Sequence, residues 1–351
     1  MEPIKLLAPP DYSAEERQTL IDFVLALRKS SIQDFLKQVE LPKSGTKQDL
    51  RERLVEALDA GALTHERLVI FLDSVACWGK QHVFLYQGSR SDMQAWRDPA
   101  HTLRLLQEHH LGELFNARLP LILPDKLTLS SVEHTDGRLR VTAIQKREYA
   151  ERTPEHDEVK ATEGGERISL RAYVHHITRM LAAFEWDLNA NVAFLQITQL
   201  QRDGDYEEVA GHFSQLVSPW LDTQQFAAVN LRLAIHKLHE IEGIGQAEAR
   251  SHGIDYRSMR GRRVSARSPG PRHSVLGEAF IDDAMDSVRK NGVGHLGNFY
   301  WLAGVKPGPA ANPLTDEVHV IIVGGKSRVN FPTPNTEEVV RYVLHRVRAL
   351  S

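Results

Sequence analysis

Arginine is the side chain best matched to a phosphate, because its planar guanidinium presents paired N–H donors and can also lie flat against a base. Seven arginines, no lysine and one acid, Asp255, fall between Arg250 and His273, a local balance of +6 in a chain whose formal net charge is −3. The remainder of the chain therefore carries −9. Within this stretch Arg257, Arg260, Arg262, Arg263 and Arg267 alternate with Ser and Gly, which predicts a flexible segment able to contact phosphates. The competing reading is a loop whose arginines pair with the protein's own acids. A second cationic group lies near the N-terminus, where Lys43, Ser44, Gly45, Thr46 and Lys47 run into Arg51. Thr46 stands at an N-cap position with Asp49 three residues on, so a helix is expected to begin at Lys47. Its first turn would aim free N–H groups and the positive end of the helix dipole at an anion flanked by Lys43 and Lys47. Arg51, one turn further, extends the same face.

Other constellations with chemical potential fail on spacing. Gly325-Lys326-Ser327 resembles the end of a phosphate-binding loop, but position 320 holds Val where the motif needs Gly, and a strand rather than a helix is expected to follow. Glu158-Val159-Lys160 carries the Glu-x-Lys spacing that places a carboxylate and a lysine beside a metal-bound phosphate, yet it lies in a charge-dense stretch without a partner aspartate. Among the 17 histidines, His175 and His176 would point to opposite faces of a strand, and His236 with His239 lacks a third ligand. Cys77 is the only cysteine, which excludes an internal disulfide and a multi-cysteine zinc site; its neighbours Val75, Ala76 and Trp78 predict a buried, unreactive thiol. No catalytic residue, metal ligand or cofactor is expected.

The elements that position the N-terminal cations are short helices. Ile32, Phe35, Leu36 and Val39 fall at i, i+3, i+4 and i+7, and Leu50, Leu54 and Leu58 recur every four residues. Pro42 and Gly45 break the chain between them, and two apolar faces closing on Leu41 can bury a small core that neither helix could stabilise alone. This helix, extended corner, helix pattern over residues 31–59 resembles the SAP domain. The resemblance implies binding to double-stranded DNA through the corner, with a preference for A/T-rich duplex. The module holds five basic and six acidic residues, so it is expected to bind weakly and by phosphate positioning.

Composition sets outer bounds. At 351 residues, 42% hydrophobic and 25% charged, the chain is ordinary for a globular protein with room for two or three domains. No run approaches the roughly 20 apolar residues of a membrane span, and the first residues lack the order of a signal peptide, so a cytoplasmic, nucleoid-associated or nuclear location is expected. A helix over 13–29 should precede the module and another over 64–77 should follow, giving a helical domain over 1–78.

From residue 79 the pattern changes. A strand is expected over 82–86, a helix from Asp98, a hairpin over 126–147 turning at Thr135-Asp136-Gly137, and a loop or frayed strand end over 150–166. Strands flanking a turn at 189–191, helices over 205–219 and 226–240, a helix over 275–290 and a strand from Asn298 follow. The chain should end in a hairpin over Gly324-Gly325 and a helix over 336–350. Hairpins mixed with helices point to an α+β fold with a largely antiparallel sheet over 79–351, divisible near 150–166.

The sequence therefore predicts a non-catalytic DNA-binding protein in DNA maintenance, segregation or defence, using the module and the arginine segment together. A metal-dependent nuclease and a protein-interaction scaffold are the alternatives. A protein partner or a homodimer face is compatible with either.

Overall fold

The computed structural model describes residues 5–89, 93–135, 137–162, 164–201, 204–305 and 312–351. A short strand, β1 (Lys5–Leu6), leads into four helices: α1 (Ala14–Ala26), α2 (Lys29–Gln38), α3 (Lys47–Asp59) and α4 (His65–Trp78). Ser13, Thr46 and Thr64 cap three of them, each accepting a backbone N–H from three residues on. Leu20, Val24, Ile32, Leu36, Leu50, Leu54 and Leu68 are buried where the helices meet, and Phe35 stacks on Phe71 with centroids 4.3 Å apart. The periodic leucines and isoleucine thus do what their spacing requires.

Helix α4 belongs to two layers. Leu68, Val69 and Leu72 close the helical core, whereas Cys77, one turn further, packs against Leu121, Ile144, Leu181 and Ala183 on the sheet. Between them Asp73 is buried and bonded to Arg179, whose remaining donors reach the carbonyls of Ile122 at 3.0 Å and Leu121 at 2.9 Å. A buried carboxylate without that guanidinium would be costly, so the pair pins the helices to the sheet.

The sheet builds from β2 (Gln81–Ser89), then, after helices α5 (Met93–Arg97) and α6 (Pro99–Glu108), from β3 (Ala117–Arg118), β4 (Thr128–Thr135) and β5 (Arg138–Arg152). Asp136, in the middle of the expected turn between β4 and β5, lies outside the described residues. The stretch expected as a loop over 150–166 instead continues β5 to Arg152 and then forms β6 (Glu158–Ala161), paired in a separate two-stranded sheet with β7 (Arg167–Leu170). The return strand β8 (Tyr173–Asp187) pairs with β5 over its whole length. From Arg147 and Thr178 outward this ribbon has no third strand on either side among the described residues. Strand β9 (Val192–Thr198) and helix α7 (Tyr206–Val217) complete the first half.

The second half opens with β10 (Phe226–Ala228) and helix α8 (Arg232–Gly243), where the sequence predicts a single helix from Phe226. The helix starts later because the Val229 N–H donates to the Leu85 carbonyl at 2.9 Å and the Asn230 side chain accepts from the Arg232 N–H at 3.2 Å. Strands β11 (Ala249–Ser258) and β12 (Arg263–Arg267), helix α9 (Ala279–Asn291) and strand β13 (Gly292–Trp301) follow, with β14 (Val318–Val323), β15 (Arg328–Phe331) and α10 (Glu337–Ala349) at the end. Strand β13 begins six residues before the expected Asn298. Its glycines are there to be approached: a Cβ on Gly294 would lie 2.8 Å from the Arg232 carbonyl and from Ile235, so only glycine lets α8 lie this close to the sheet.

All but one of these strands' pairings are antiparallel, the exception being β1 with β3, and the order is β1-β3-β4-β5-β8-β9-β2-β15-β14-β13-β11-β12 with β10 beside β2. The α+β expectation holds. One cross-strand row shows how the layers change. Phe184, Leu195 and Phe84 stand opposite one another and are buried under α7. Arg328 comes next and lies over the rings of Phe84 and Tyr206. Beyond it Val323, Leu296 and Asp255 continue the row, and Val323 and Leu296 belong to no buried cluster. The other face of these last strands is the main core, where Ile254, Tyr256, Phe299, Val320 and Ile322 pack against α8, α9 and α10. The sheet is therefore covered on both faces in one half and on one face in the other.

Candidate nucleic-acid interface

The helical corner is a closed capping box. The Thr46 side chain accepts from the Asp49 N–H at 3.2 Å, and the Asp49 carboxylate accepts from the Thr46 N–H at 2.7 Å. These bonds from Thr46 hold the Asp49 carboxyl below its ordinary range. Gly45 sits at φ +126°, and a Cβ there would come 2.6 Å from Asp49 Oδ2, so the corner requires glycine. Lys47 and Gln48 begin the helix with N–H groups that no backbone carbonyl among the described residues accepts.

The cations around this corner are largely engaged. Lys47 Nζ donates to the carbonyls of Leu25 at 2.7 Å and Leu27 at 3.1 Å, closing the C-terminal end of α1. Arg51 pairs with Asp22 at 2.8 Å, and Arg53 donates to the carbonyls of Pro42 and Ser44. Of the contact residues expected at this corner, Lys43 alone presents a charged side chain with no hydrogen-bond or ion-pair partner among the described residues. Its own carbonyl and that of Ser44 hold Gln33 and Arg53. Sequence reasoning missed the capping role of Lys47 because the end of α1 is some twenty residues away in the chain.

The arginine segment differs from its expected form. It is a β-hairpin of β11 and β12 at the edge of the large sheet, and not a flexible loop. The ladder pairs Arg257 with Arg263, Asp255 with Ser265 and Gly253 with Arg267, so these side chains share one face. Arg263 is bonded to the buried carboxylate of Asp255, which offsets the repulsion of two arginines standing opposite each other. The turn holds Arg260 and Arg262: the Ser258 N–H donates to the Arg262 carbonyl at 2.8 Å, the Gly261 N–H to the Ser258 carbonyl at 2.9 Å, and Gly261 takes φ +78°. The side chains of Arg257, Arg260, Arg262 and Arg267 are exposed and make no hydrogen bond or ion pair among the described residues. Met259, between them at the tip, is 91% exposed.

The remaining candidates resolve into packing. Glu158 pairs with Lys160 at 2.7 Å on exposed β6. His239 is buried with Nδ1 2.9 Å from the Tyr256 hydroxyl, and burial, reinforced by Arg289, pushes its pKa down to about 4. His176 lies against Glu151 and stacks on Tyr149, away from His175. Burial pushes the Cys77 thiol up. Gly325-Lys326-Ser327 forms the turn between β14 and β15, with Lys326 3.1 Å from Glu207. Among the described residues no group of three or more His, Cys, Asp or Glu side chains is placed to hold a metal ion, and no helix is long and apolar enough to cross a membrane.

A further polar cluster had no sequence signal. His252, Asn298, Tyr300 and His319 come from three strands and meet on the uncovered face beside the hairpin, brought together by cross-strand register. Compared with curated protein sequences, the chain has no significant match. Residues 25–59, from the last turn of α1 to the end of α3, match the family model of the SAP domain, which points to nucleic-acid binding for this part of the chain.

Proposed function

We propose that the protein binds double-stranded DNA through two weak contacts and acts without catalysis, in DNA maintenance, segregation or defence. The first contact is the SAP-type corner, at Lys43, Ser44, Gly45, Thr46 and Lys47 with Arg51 beside it, in a head formed by residues 1–78. The second is the arginine hairpin of the body formed by residues 79–351. The observation that carries the reading is the unpaired state of Arg257, Arg260 and Arg262 in a chain where most other arginines are bonded to protein groups. An exposed cation held by a rigid ladder with nothing to neutralise it is suited to a phosphate. Two such contacts on one chain reinforce each other through effective concentration.

The test is duplex binding as a function of salt for the full chain, for Lys43→Ala, and for Arg257, Arg260 and Arg262 jointly replaced by alanine. Each lost phosphate contact should flatten the slope of log K against log salt by about 0.9. Undiminished affinity and slope in both variants would overturn the assignment.

A further inference from the structure

The uncovered half of the sheet carries chemistry that a duplex backbone cannot use. Arg250, Tyr300 and His319 stand opposite one another on β11, β13 and β14. Tyr300 and His319 are parallel, with ring centroids 4.7 Å apart and an interplanar angle of 11°. Arg250 lies 5.6 Å from the Tyr300 ring centre and His252 meets its edge at 5.7 Å. This column of flat groups is half-buried and belongs to none of the buried cores, and its Arg250 is held by Glu317. Asn298 anchors it, its Oδ1 lying 2.7 Å from His319 Nε2. Burial and the neighbouring His252 hold His319 below its ordinary pKa, so the ring is neutral at neutral pH.

Next to the column Gly253 is buried, and a Cβ there would make ordinary contact with Arg267 Cγ at 3.6 Å and Asn298 Cβ at 3.7 Å, so an exposed arginine and an amide stand side by side on this same face. Arg257 continues the charge along the sheet edge, beside Arg263 in its pair with Asp255. Flat π-systems beside unpaired arginines are the two components that hold a single strand: bases stack on rings, and phosphates follow the cations. In a duplex the bases are already stacked inside and would leave the rings unused.

We propose that this open face binds single-stranded DNA, with bases stacking on the Tyr300–His319 column, the Asn298 amide within reach of base edges, and Arg257 and Arg267 holding the backbone. Together with a duplex-binding head this would place the protein where duplex gives way to single strand. The proposal rests on the DNA-binding reading only for its choice of DNA over RNA.

The test uses the full chain and fluorescence anisotropy with a short oligothymidylate, its abasic counterpart, an oligouridylate and a duplex of equal length. Oligothymidylate should bind at least about tenfold more tightly than the abasic strand, the stacking contribution of roughly one base. Tyr300→Ala with His319→Ala should abolish that difference and leave duplex affinity unchanged. If that variant fails to fold by thermal melting, Arg267→Glu, exposed on the edge strand, should weaken oligothymidylate binding by a similar factor. Equal binding of the abasic strand, a base-dependent difference that survives Tyr300→Ala with His319→Ala, or oligothymidylate affinity unchanged in Arg267→Glu overturns the proposal. Tighter binding of oligouridylate overturns the choice of DNA. Loss of duplex binding with base-dependent binding intact would sink the two-contact duplex reading and leave this one standing.

Discussion

The helical head and the arginine hairpin use their cations in opposite ways. In the head, Lys47, Arg51 and Arg53 each hold another segment in place: the end of α1, Asp22, and the corner itself. In the hairpin, the side chains of Arg257, Arg260 and Arg262 hold no other segment among the described residues, and Arg263 alone is tied to Asp255. The difference follows from what fixes each backbone. Four short helices around a small core need caps and side-chain ties to set their geometry. A strand already paired with β13 and closed by a tight turn is fixed by its own ladder, which releases its side chains for a ligand. Charge counts alone cannot separate a cation that builds a fold from one that faces outward.

The strongest way to break the comparison is to detach the head. Arg179→Met leaves the buried Asp73 carboxylate with the longer 3.9 Å contact to Arg118, and should lower stability by about 3 kcal/mol in denaturant melts. Adding Asp73→Asn should recover part of the loss, and an unaffected midpoint for Arg179→Met would show that α4 is not pinned there.

Acid should act on the other side of the molecule. The His239 pKa lies near 4 in the folded chain and near 6.5 when unfolded, so between these values the unfolded chain binds the extra proton. Its contribution is complete above about pH 6.5 and is lost as pH falls toward 4, on the order of 3 kcal/mol in total. His82, depressed to about 3 by burial and Arg328, adds to the same trend. Because His239 supports Tyr256 on β11, amide exchange at low pH should rise first around the hairpin and not in the head. Uniform acceleration across the chain would contradict this.

Gly45→Ala should cost about 1–3 kcal/mol through a strained positive φ and the clash with Asp49, and should melt the head without disturbing Tyr256 fluorescence. The smallest effects discriminate most sharply. Arg51→Ala should change stability by less than about 1 kcal/mol, as exposed ion pairs do. Alanine at Arg260 or Arg262 should leave the melting temperature unmoved while weakening DNA binding. Lys47→Ala should do the reverse, lowering the melting temperature more than the salt slope.

The head was legible because its signals are local: Ile32, Phe35 and Leu36 on one helical face, and Thr46 with Asp49 as a capping pair. The C-terminal hairpin and the final helix were legible for the same reason, whereas the outer part of the β5–β8 ribbon falls partly in the stretch over 150–166 that reads as a loop or frayed strand end. Strand β11 was not, because Ala249–Ser258 reads as a polar run; Gly253 to Tyr256 are buried in succession, and irregular pairing between Ser251 and Gly253 breaks the alternation. The Tyr300 column was hidden altogether, since it exists only through the register of three strands that are distant in sequence.

The free-standing part of the β5–β8 ribbon has a consequence for solubility. Among the described residues it offers two unpaired backbone edges and exposes Tyr173 and Val174 on β8, while the separate β6–β7 pair beyond it exposes Val159, Ile168 and Leu170, the combination that templates edge-to-edge aggregation. Lys146, Glu148, Glu151 and Arg152, charges spread along β5, act as gatekeepers that make an incoming strand costly to dock. Removing those charges would be felt first in the test tube as turbidity, long before any change in the melting temperature.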